Sequence, residues 1–252
     1  MRFSKWHALG NAYLVVEGDQ LTPERARELC DPEAGIGSDG VLEVIAVDGP
    51  HAEVLVWNPD GSTAELSGNG ARIAARWLAE RAGVPEVSLR VGTRDVTARI
   101  LDGDDVRLEV GTVEVGEIEP LEVGAELVKV TPVSVGNPHA VVRAEPDHET
   151  LVRLGPALET HERFPDRTNV QLVRVDGTHE LTVRVWERGV GETLASGTSA
   201  VAAAAAAVAN RWAKSPVTVR MPGGDLQVEL DAENRASLTG PVTYVYSGEV
   251  EP

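Results

Sequence analysis

An internal duplication is the feature of this sequence that most constrains its fold. The segments Trp57–Arg72 (WNPDGSTAELSGNGAR) and Trp186–Ala200 (WERGVGETLASGTSA) both begin with tryptophan and reach a Ser-Gly pair after nine further residues. The two copies lie 129 residues apart. A repeat of about half the chain predicts two similar lobes.

Each copy has the pattern of an alternating strand, a glycine-containing turn and a helix that begins at the Ser-Gly pair. A helix start presents backbone N–H groups and the positive end of the helix dipole. Ser67 and Ser196 would therefore mark two helix N-termini able to bind one anionic group from both sides. Serine is also a common N-cap on any helix. The matched spacing, with Asn58, Glu187 and Arg188 nearby, favours a functional site.

The charge balance limits the partners that this chain can bind. Its 252 residues include 40 acidic and 23 basic residues, which give a net charge of −17. Such a charge disfavours nucleic acids and anionic membranes as partners. No apolar run is long enough to span a membrane, and the N-terminal stretch lacks the apolar region of a signal peptide. We therefore expect a cytoplasmic protein that does not bind membranes.

The metal-binding and redox residue types carry little signal. Cys30 is the single cysteine and ends a predicted polar helix from Pro23, so we expect an incidental thiol. The six histidines have none of the spacings typical of metal sites. We expect no metal site. The glycine-rich stretch GIGSDG at residues 35–40 lacks the Lys-Ser/Thr ending of a phosphate-binding P-loop.

Periodicity and turn signals predict alternating strands and helices in both halves. A strand pair in residues 3–17 turns at Gly10-Asn11, and composition places the join between lobes near residue 118, giving lobes 1–118 and 119–252. The last predicted helix is alanine-rich and apolar all round, so it should be buried inside strands. The predicted helices are Pro23–Cys30 with Thr22 as N-cap, Asn69–Ala82, Glu149–Leu158 and Thr198–Trp212.

The chain resembles the diaminopimelate epimerase family over nearly its whole length. The matching segments, in the family's order and spacing, are Gly10-Asn11, GIGSDG, NPDGSTAELSGNGAR, GNPH, FPDRTNV, ERGVGETLASGTSA and PGGDLQVEL. The resemblance implies an α/β (α+β) fold of two pseudo-symmetric lobes. In each, a curled, mostly antiparallel sheet would surround a central helix, and the active site would lie in the cleft between the lobes.

The resemblance also implies a chemistry. The family inverts the α-carbon of L,L-diaminopimelate to give the meso form, without pyridoxal phosphate or metal, in the lysine and cell-wall pathway. One cysteine thiolate removes the α-proton, and a second thiol donates a proton from the opposite face. The implied partner is this small-molecule substrate, no cofactor is implied, and a homodimer is typical of the family.

This sequence departs from the family at the two cysteine positions, which match Ser67 and Ser196. A serine hydroxyl is a far weaker acid than a thiol and needs a neighbouring base. Three explanations are open: an engineered Cys→Ser pair, a natural change of substrate or reaction, and binding without turnover. We rank the engineered pair first, because natural loss should let the surrounding motif erode. The alternative function is a same-fold amino-acid-binding protein, or a one-base isomerase or lyase that uses Glu187 or His139.

The resemblance assigns roles to individual residues. His139 and Glu187 match residues that the family places beside its thiols, and Arg188 suits a bidentate carboxylate clamp. As ordinary residues, His139 would cap a turn, and Glu187 and Arg188 would form a solvated ion pair. Asn11 stands in Gly-Asn-Ala-Tyr where the family has Gly-Asn-Asp-Phe. The implied α-carboxylate cradle is Gly68, Asn69, Gly197 and Thr198, and the residues implied to read the remaining substrate groups are Asn11, Asn58, Asn137, Asn169, Glu187 and Arg188.

Overall fold

The structure is a computed structural model that describes residues 1–18, 20–64, 67–92 and 94–251. Glu65 and Leu66 of the first signature segment lie outside the described residues. The helices are α1 Pro23–Cys30, α2 Gly68–Ala82, α3 His148–Glu159 and α4 Gly197–Ala209. The strands are β1 Arg2–Ala8, β2 Asn11–Glu17, β3 Val41–Asp48, β4 His51–Trp57, β5 Thr63–Ala64, β6 Glu86–Val91, β7 Arg94–Ile100, β8 Asp105–Thr112, β9 Glu114–Val115, β10 Glu119–Val123, β11 Glu126–Ser134, β12 Pro138–Arg143, β13 Asn169–Gly177, β14 Glu180–Glu187, β15 Gly191–Thr193, β16 Val217–Met221, β17 Gly224–Leu230, β18 Arg235–Pro241 and β19 Thr243–Glu249.

The duplication is visible in the order and pairing of the elements. The series β1-β2-α1-β3-β4-β5-α2-β6-β7 recurs as β11-β12-α3-β13-β14-β15-α4-β16-β17. In both series the second and third strands pair in parallel, as do the fourth and sixth, and the other neighbours pair antiparallel. The predicted α+β class is confirmed, with two related, mostly antiparallel sets of strands.

The chain forms two compact units, Met1–Glu109 with Thr239–Pro252, and Val110–Leu238. These units differ from the ranges 1–118 and 119–252 expected from composition, because the chain's last strand belongs with its first. β19 pairs antiparallel with β1, with Arg2 opposite Glu249. Trp6 and Tyr244 also make an edge-to-face ring contact across this pair, 5.1 Å between centroids. Pairing between strands at opposite ends of the chain cannot be predicted from a local sequence pattern.

A helix lies among the strands of each unit. In the first unit, α2 packs against β1, β2, β4, β6 and β7, and Ile73, Ala74, Ala75 and Leu78 are fully buried. In the second unit, α4 packs against β9, β11 to β14, β16 and β17. Every residue from Ala200 to Ala207 is buried, as predicted for a helix that is apolar all round.

The predicted helices need small corrections at their ends. α2 begins at Gly68, with Ser67 as N-cap, and ends at Ala82, followed by the C-cap Gly83, whose φ of 69° is left-handed. α4 begins at Gly197 and ends at Ala209, short of the predicted Trp212. Asn210 is its C-cap and Arg211 has a φ of 60°, so the helical backbone stops there. α1 matches its prediction, with Thr22 accepting a hydrogen bond from the Arg25 N–H.

The prediction for the first turn was wrong in detail, and Cys30 has a setting that the sequence did not indicate. The first turn lies at Leu9 and Gly10, with φ angles of 54° and 84°, whereas Asn11 already pairs with Ala8 as the first residue of β2. Cys30 is a free cysteine that faces the core, 5% exposed, and burial raises the pKa of its thiol. Helix α1 packs this face on β3, which an eight-residue polar segment did not indicate.

The two signature tryptophans each donate to a buried carboxylate. Trp57 Nε1 donates to Glu43 Oε2 at 2.8 Å, and Trp186 Nε1 donates to Glu159 Oε2 at 2.8 Å. Glu43 is 2% exposed and Glu159 is 5% exposed. A buried indole N–H needs such a partner, so both signature segments are tied to the rest of their unit where they begin.

Gly155 in α3 allows the close approach of Trp186. A methyl group at this position would lie 2.7 Å from Trp186 Cγ and Cδ2. We expect Gly155→Ala to lower the free energy of unfolding, because overpacking costs roughly 1–3 kcal/mol and outweighs the ~0.5–1 kcal/mol that alanine gains in a helix. Urea denaturation measures the change. The exposed Ala157→Gly, on the same helix, should cost only the helix-propensity difference; a Gly155→Ala protein as stable as the parent would contradict the packing argument.

Candidate active site

The first half-site is built at the start of α2. Ser67 Oγ accepts the Gly70 N–H at 3.0 Å, which makes Ser67 a true N-cap. The same oxygen lies 3.0 Å from the hydroxyl oxygen of Tyr13. Gly68 and Asn69 occupy the buried first turn of the helix, where N–H groups have no partner within the helix. This turn has the polarity needed to bind an anion.

A buried arginine orients two of the predicted site residues. Arg72 is fully buried, and its Nη2 donates to Asn69 Oδ1 at 2.7 Å. Asn69 Nδ2 in turn donates to Asn11 Oδ1 at 3.2 Å. Burial lowers the pKa of Arg72 to about 10, partly offset by Asp105, so the guanidinium stays charged at neutral pH. Arg72 Nε and Nη1 find no hydrogen-bond partner among the described residues.

Asn58 lies in the turn that follows β4. Its amide Nδ2 donates to Ser62 Oγ at 2.9 Å, and its N–H donates to the Ser62 carbonyl at 2.8 Å. These bonds hold the NPDGS turn closed. The structure thus joins Asn11, Asn69 and Ser67 around the start of α2, while the Asn58 amide is engaged within its own turn.

The second half-site is built at the start of α4 and differs from the first. Ser196 is the N-cap by position, but its side chain does not cap the helix. The Glu187 carboxylate lies at the end of β14, near enough to the Ser196 hydroxyl for that group to influence its pKa. Burial raises the pKa of Glu187, and the Ser196 hydroxyl lowers it in part. A carboxylate in this state can accept a proton from the hydroxyl beside it.

His139 lies in a buried polar cluster in the second unit. Gln171 Nε2 donates to His139 Nδ1 at 3.0 Å, so the ring proton is on Nε2, which donates to Asn137 Oδ1 at 3.0 Å. Gln171 Nε2 also contacts Ser199 Oγ at 3.1 Å. His139 is 1% exposed, and burial lowers its pKa to about 3, with a contribution from nearby Arg188. The ring is neutral at physiological pH.

Asn169 connects the His139 segment to Arg188. Its Nδ2 donates to the Pro138 carbonyl at 3.0 Å, and its Oδ1 accepts the Arg188 N–H at 3.0 Å. The exposed Arg188 guanidinium donates to the Asp166 carbonyl at 3.0 Å, whereas Glu187 lies beside Ser196. Glu187 and Arg188 therefore point to different partners. Gly197 is buried and Thr198 is half-buried in the first turn of α4.

Four polar residues of these half-sites were not found from the sequence. Three had a usable signal: Gln171 interrupts the apolar strand NVQLV, and Arg72 and Ser199 are polar residues on otherwise buried helices. Tyr13 had no local signal, because 54 residues separate it from Ser67, although the duplication aligns it with His139. In the described ranges, no three His, Cys, Asp or Glu side chains are grouped to hold a metal ion. None of the described helices has the length and apolar character needed to cross a membrane.

Comparison with known proteins identifies the family. The diaminopimelate epimerase family model matches residues 3–116 and 131–245. The diaminopimelate epimerase of Synechocystis sp. is 38% identical over 276 aligned residues, covering 100% of this chain and 99% of that protein. The Desulfitobacterium hafniense diaminopimelate epimerase is 39% identical, covering 98% and 97%. The chain belongs to the diaminopimelate epimerase family.

Solved structures share the fold of this diaminopimelate epimerase family member at low sequence identity. A phenazine biosynthesis protein from Bacillus anthracis superposes with a TM-score of 0.76 at 14% identity, covering 100% of this chain and 99% of that one. A hydroxyproline epimerase from Agrobacterium vitis, with bound trans-4-hydroxy-L-proline, gives 0.73 at 17% identity, covering 98% and 91%. The fold therefore extends well beyond the family.

Proposed function

We propose that this chain epimerises L,L-2,6-diaminopimelate to the meso form by cofactor-independent proton transfer at the α-carbon. Family membership over the full chain length supports the substrate. The observation that carries the proposal is the placement of the half-buried Glu187 carboxylate beside Ser196. It supplies, at a helix N-terminus, the neighbouring base that a serine needs in order to act on a proton.

Inversion of a carbon requires a proton to leave one face and another to arrive on the opposite face. We propose that Ser196, with Glu187 as its base, serves one face and that Ser67 serves the other. As the Ser196 hydroxyl gives its proton to Glu187, its oxygen takes the α-proton from one face. A new C–H bond forms with the proton of the Ser67 hydroxyl on the opposite face. Glu187 then releases its proton to solvent and Ser67 regains one, which restores the starting state. The reaction is balanced without an oxidant or a metal. The negative charge that develops on the α-carboxylate is stabilised by helix N-termini.

Substrate binding is divided among the predicted residues in the same proposal. The first turns of α2 and α4 bind the reacting α-carboxylate through Gly68, Asn69, Gly197 and Thr198. Arg188, with its planar guanidinium, binds a carboxylate in bidentate fashion. The asparagines 11, 58, 137 and 169 bind the remaining amino and carboxylate groups. The bonds from Arg72 to Asn69 and from Asn69 to Asn11 support this role, because they fix the direction of both amides.

A second candidate function is one-base chemistry, and the asymmetry of the half-sites favours it. Ser196 has a carboxylate partner, whereas Ser67 contacts a phenol and a backbone amide. A single base permits exchange or elimination at one face without inversion. Incubation of L,L-diaminopimelate in deuterated water separates the two: deuterium uptake together with meso product supports epimerisation, and uptake with retained configuration supports the one-base reaction.

Glu187→Gln is expected to lower the rate of α-proton exchange by roughly 10²–10⁴-fold, the usual contribution of a general base. The same change should not destabilise the protein at neutral pH. Because burial raises the pKa of Glu187, the protonated carboxyl group favours folding below the unfolded value of 4.5. This contribution is lost as pH rises through the higher folded value. Glutamine avoids this loss. Exchange rates and urea denaturation at pH 4 and pH 7 measure both effects.

Glu180→Gln is the matched control, since Glu180 lies at the exposed start of the same strand and pairs with Arg220. It should leave the exchange rate unchanged. An active Glu187→Gln protein, or one that loses activity only because it unfolds at neutral pH, would remove Glu187 from the mechanism.

The proposal includes a homodimer located in the cytoplasm. Sedimentation or light scattering tests the assembly: a mass of two chains supports it and a mass of one chain contradicts it. Cell fractionation tests the location.

A further inference from the structure

We propose that Tyr13 is the proton-relay partner of Ser67, passing its phenolic proton to the serine oxygen when Ser67 protonates the substrate. This inference rests on the proposed function. Tyr13 acts through Ser67, so it positions and supplies a proton rather than touching the α-carbon itself. When Ser67 gives its proton to the α-carbon, a C–H bond forms and the Ser67 O–H bond is restored from Tyr13, which becomes a phenolate. Before the next turnover the phenolate takes a proton from solvent, and Glu187 releases to solvent the proton that it took from Ser196.

The contact geometry supports a relay at this position. The Tyr13 hydroxyl oxygen and Ser67 Oγ are 3.0 Å apart, and Tyr13 is 6% exposed. Ser67 Oγ already accepts the Gly70 N–H at 3.0 Å. When Tyr13 donates a second hydrogen bond to Ser67 Oγ, the Ser67 proton is not used in that bond and can be donated to another group. Two donors at a helix N-terminus also stabilise negative charge on the serine oxygen.

A phenol suits this task better than a second aliphatic hydroxyl. Phenols ionise near pH ~10, well below aliphatic hydroxyls, so a phenolate is an accessible state in a polarised site. Proton transfer to or from a positioned side chain is worth roughly 10²–10⁴-fold in rate. Tyr13 thus gives Ser67 a neighbouring group that can release a proton more readily than an aliphatic hydroxyl.

The duplication shows why the first half-site needs this residue. At the 129-residue offset, Glu187 in the second copy corresponds to Asn58 in the first, and an amide cannot act as a base. At the 126-residue offset of Gly10-Asn11 and Gly136-Asn137, Tyr13 corresponds to His139. The titratable group beside Ser67 is therefore reached through Tyr13, on β2, instead of through the residue that follows β4.

The GIGSDG loop holds Tyr13 in place. The Asp39 N–H donates to the Ala12 carbonyl at 2.8 Å, and the Ala12 N–H donates to Asp39 Oδ2 at 2.7 Å. On the other side of Tyr13, the Leu14 N–H donates to the Gly40 carbonyl at 3.1 Å. The ring packs on Gly40, where a methyl group would lie 2.5 Å from Tyr13 Cε1. These contacts give the GIGSDG loop, which lacks the features of a phosphate-binding loop, a role in orienting the Tyr13 side chain.

The test compares Tyr13→Phe in two backgrounds, the parent and Ser67→Cys. Phenylalanine keeps the ring that packs on Gly40, and thermal melting checks that the variants fold. Deuterium exchange of L,L-diaminopimelate is measured against pH. We expect Tyr13→Phe to slow exchange by roughly 10²–10⁴-fold in the parent and to remove its rise with pH. In the Ser67→Cys background, Tyr13→Phe should slow exchange by less than about tenfold, because a thiol ionises without help from Tyr13. The exposed Tyr246→Phe should change neither background.

The outcomes separate this inference from the proposed function. An equal loss in both backgrounds means a structural role for Tyr13 and overturns the relay. No loss in the parent overturns it too, as does a parent that does not exchange while Ser67→Cys does. If the Ser67→Cys/Ser196→Cys protein fails to exchange diaminopimelate, the proposed function falls, and the relay with it.

Discussion

Replacing both Ser67 and Ser196 by cysteine is expected to raise the rate of diaminopimelate epimerisation by roughly 10²–10⁴-fold, the range that a well-matched acid–base pair contributes. A thiol ionises near ~8.5, and the start of a helix lowers that value further. The first turns of α2 and α4 are already formed around these positions. The new thiols therefore need no rearrangement of the backbone. Conversion of the L,L form to the meso form, followed by chiral chromatography, measures the gain.

The single substitutions are the controls for this prediction. Because inversion uses both faces of one carbon, each single cysteine protein should remain limited by its remaining serine. A single substitution that gives the same rate increase as the double substitution would mean that proton transfer at only one face limits the reaction. A double-cysteine protein no faster than the parent, although folded, would show that the serines are not the acid–base pair.

The second large effect that we expect is a fall in the free energy of unfolding at acid pH, caused by His139. Its pKa falls from 6.5 to about 3 on burial, so the unfolded chain binds a proton that the folded chain does not. The stabilising contribution of the neutral ring is complete above pH 6.5 and is lost as pH falls toward 3. At 1.36 kcal/mol per pKa unit the total loss is roughly 4–5 kcal/mol. Urea denaturation between pH 7 and pH 4 measures this slope.

His139→Gln should reduce the dependence of the free energy of unfolding on pH. It should also lower that free energy at pH 7, because the bonds to Asn137 and Gln171 are lost. The exposed His51→Gln should leave the slope unchanged. If the parent and His139→Gln lose stability in parallel as pH falls, His139 is not the group that titrates on unfolding.

The duplication made much of the architecture predictable. Two copies of one strand-turn-helix pattern indicated two related sets of strands, and the matched pairing of β1 to β7 and β11 to β17 confirms this. The Ser-Gly pairs placed the two helix starts within one residue, at Asn69 and Thr198 instead of Gly68 and Gly197, since serine favours the N-cap. The burial of α4 followed from its apolar composition.

Contacts between distant segments were not predictable in the same way. The return of β19 to β1 depends on strand pairing between the two ends of the chain. Tyr13 meets Ser67 only because β2 and the start of α2 pack together, and no spacing rule relates the two residues. The low pKa of His139 depends on burial, which a polar GNPH segment does not indicate. Such tertiary effects determine how the site works chemically.

The most direct test of the central claim is the fate of the α-proton when the unaltered chain acts on L,L-diaminopimelate in deuterated water. Mass spectrometry counts the deuterium, and chiral chromatography separates the isomers. We predict slow formation of meso product, with one deuterium at the inverted α-carbon and none in residual substrate at early times. Deuterium uptake with retained configuration would contradict two-face proton transfer. The absence of any exchange, in this chain and in its double-cysteine form, would contradict the assignment of the reaction.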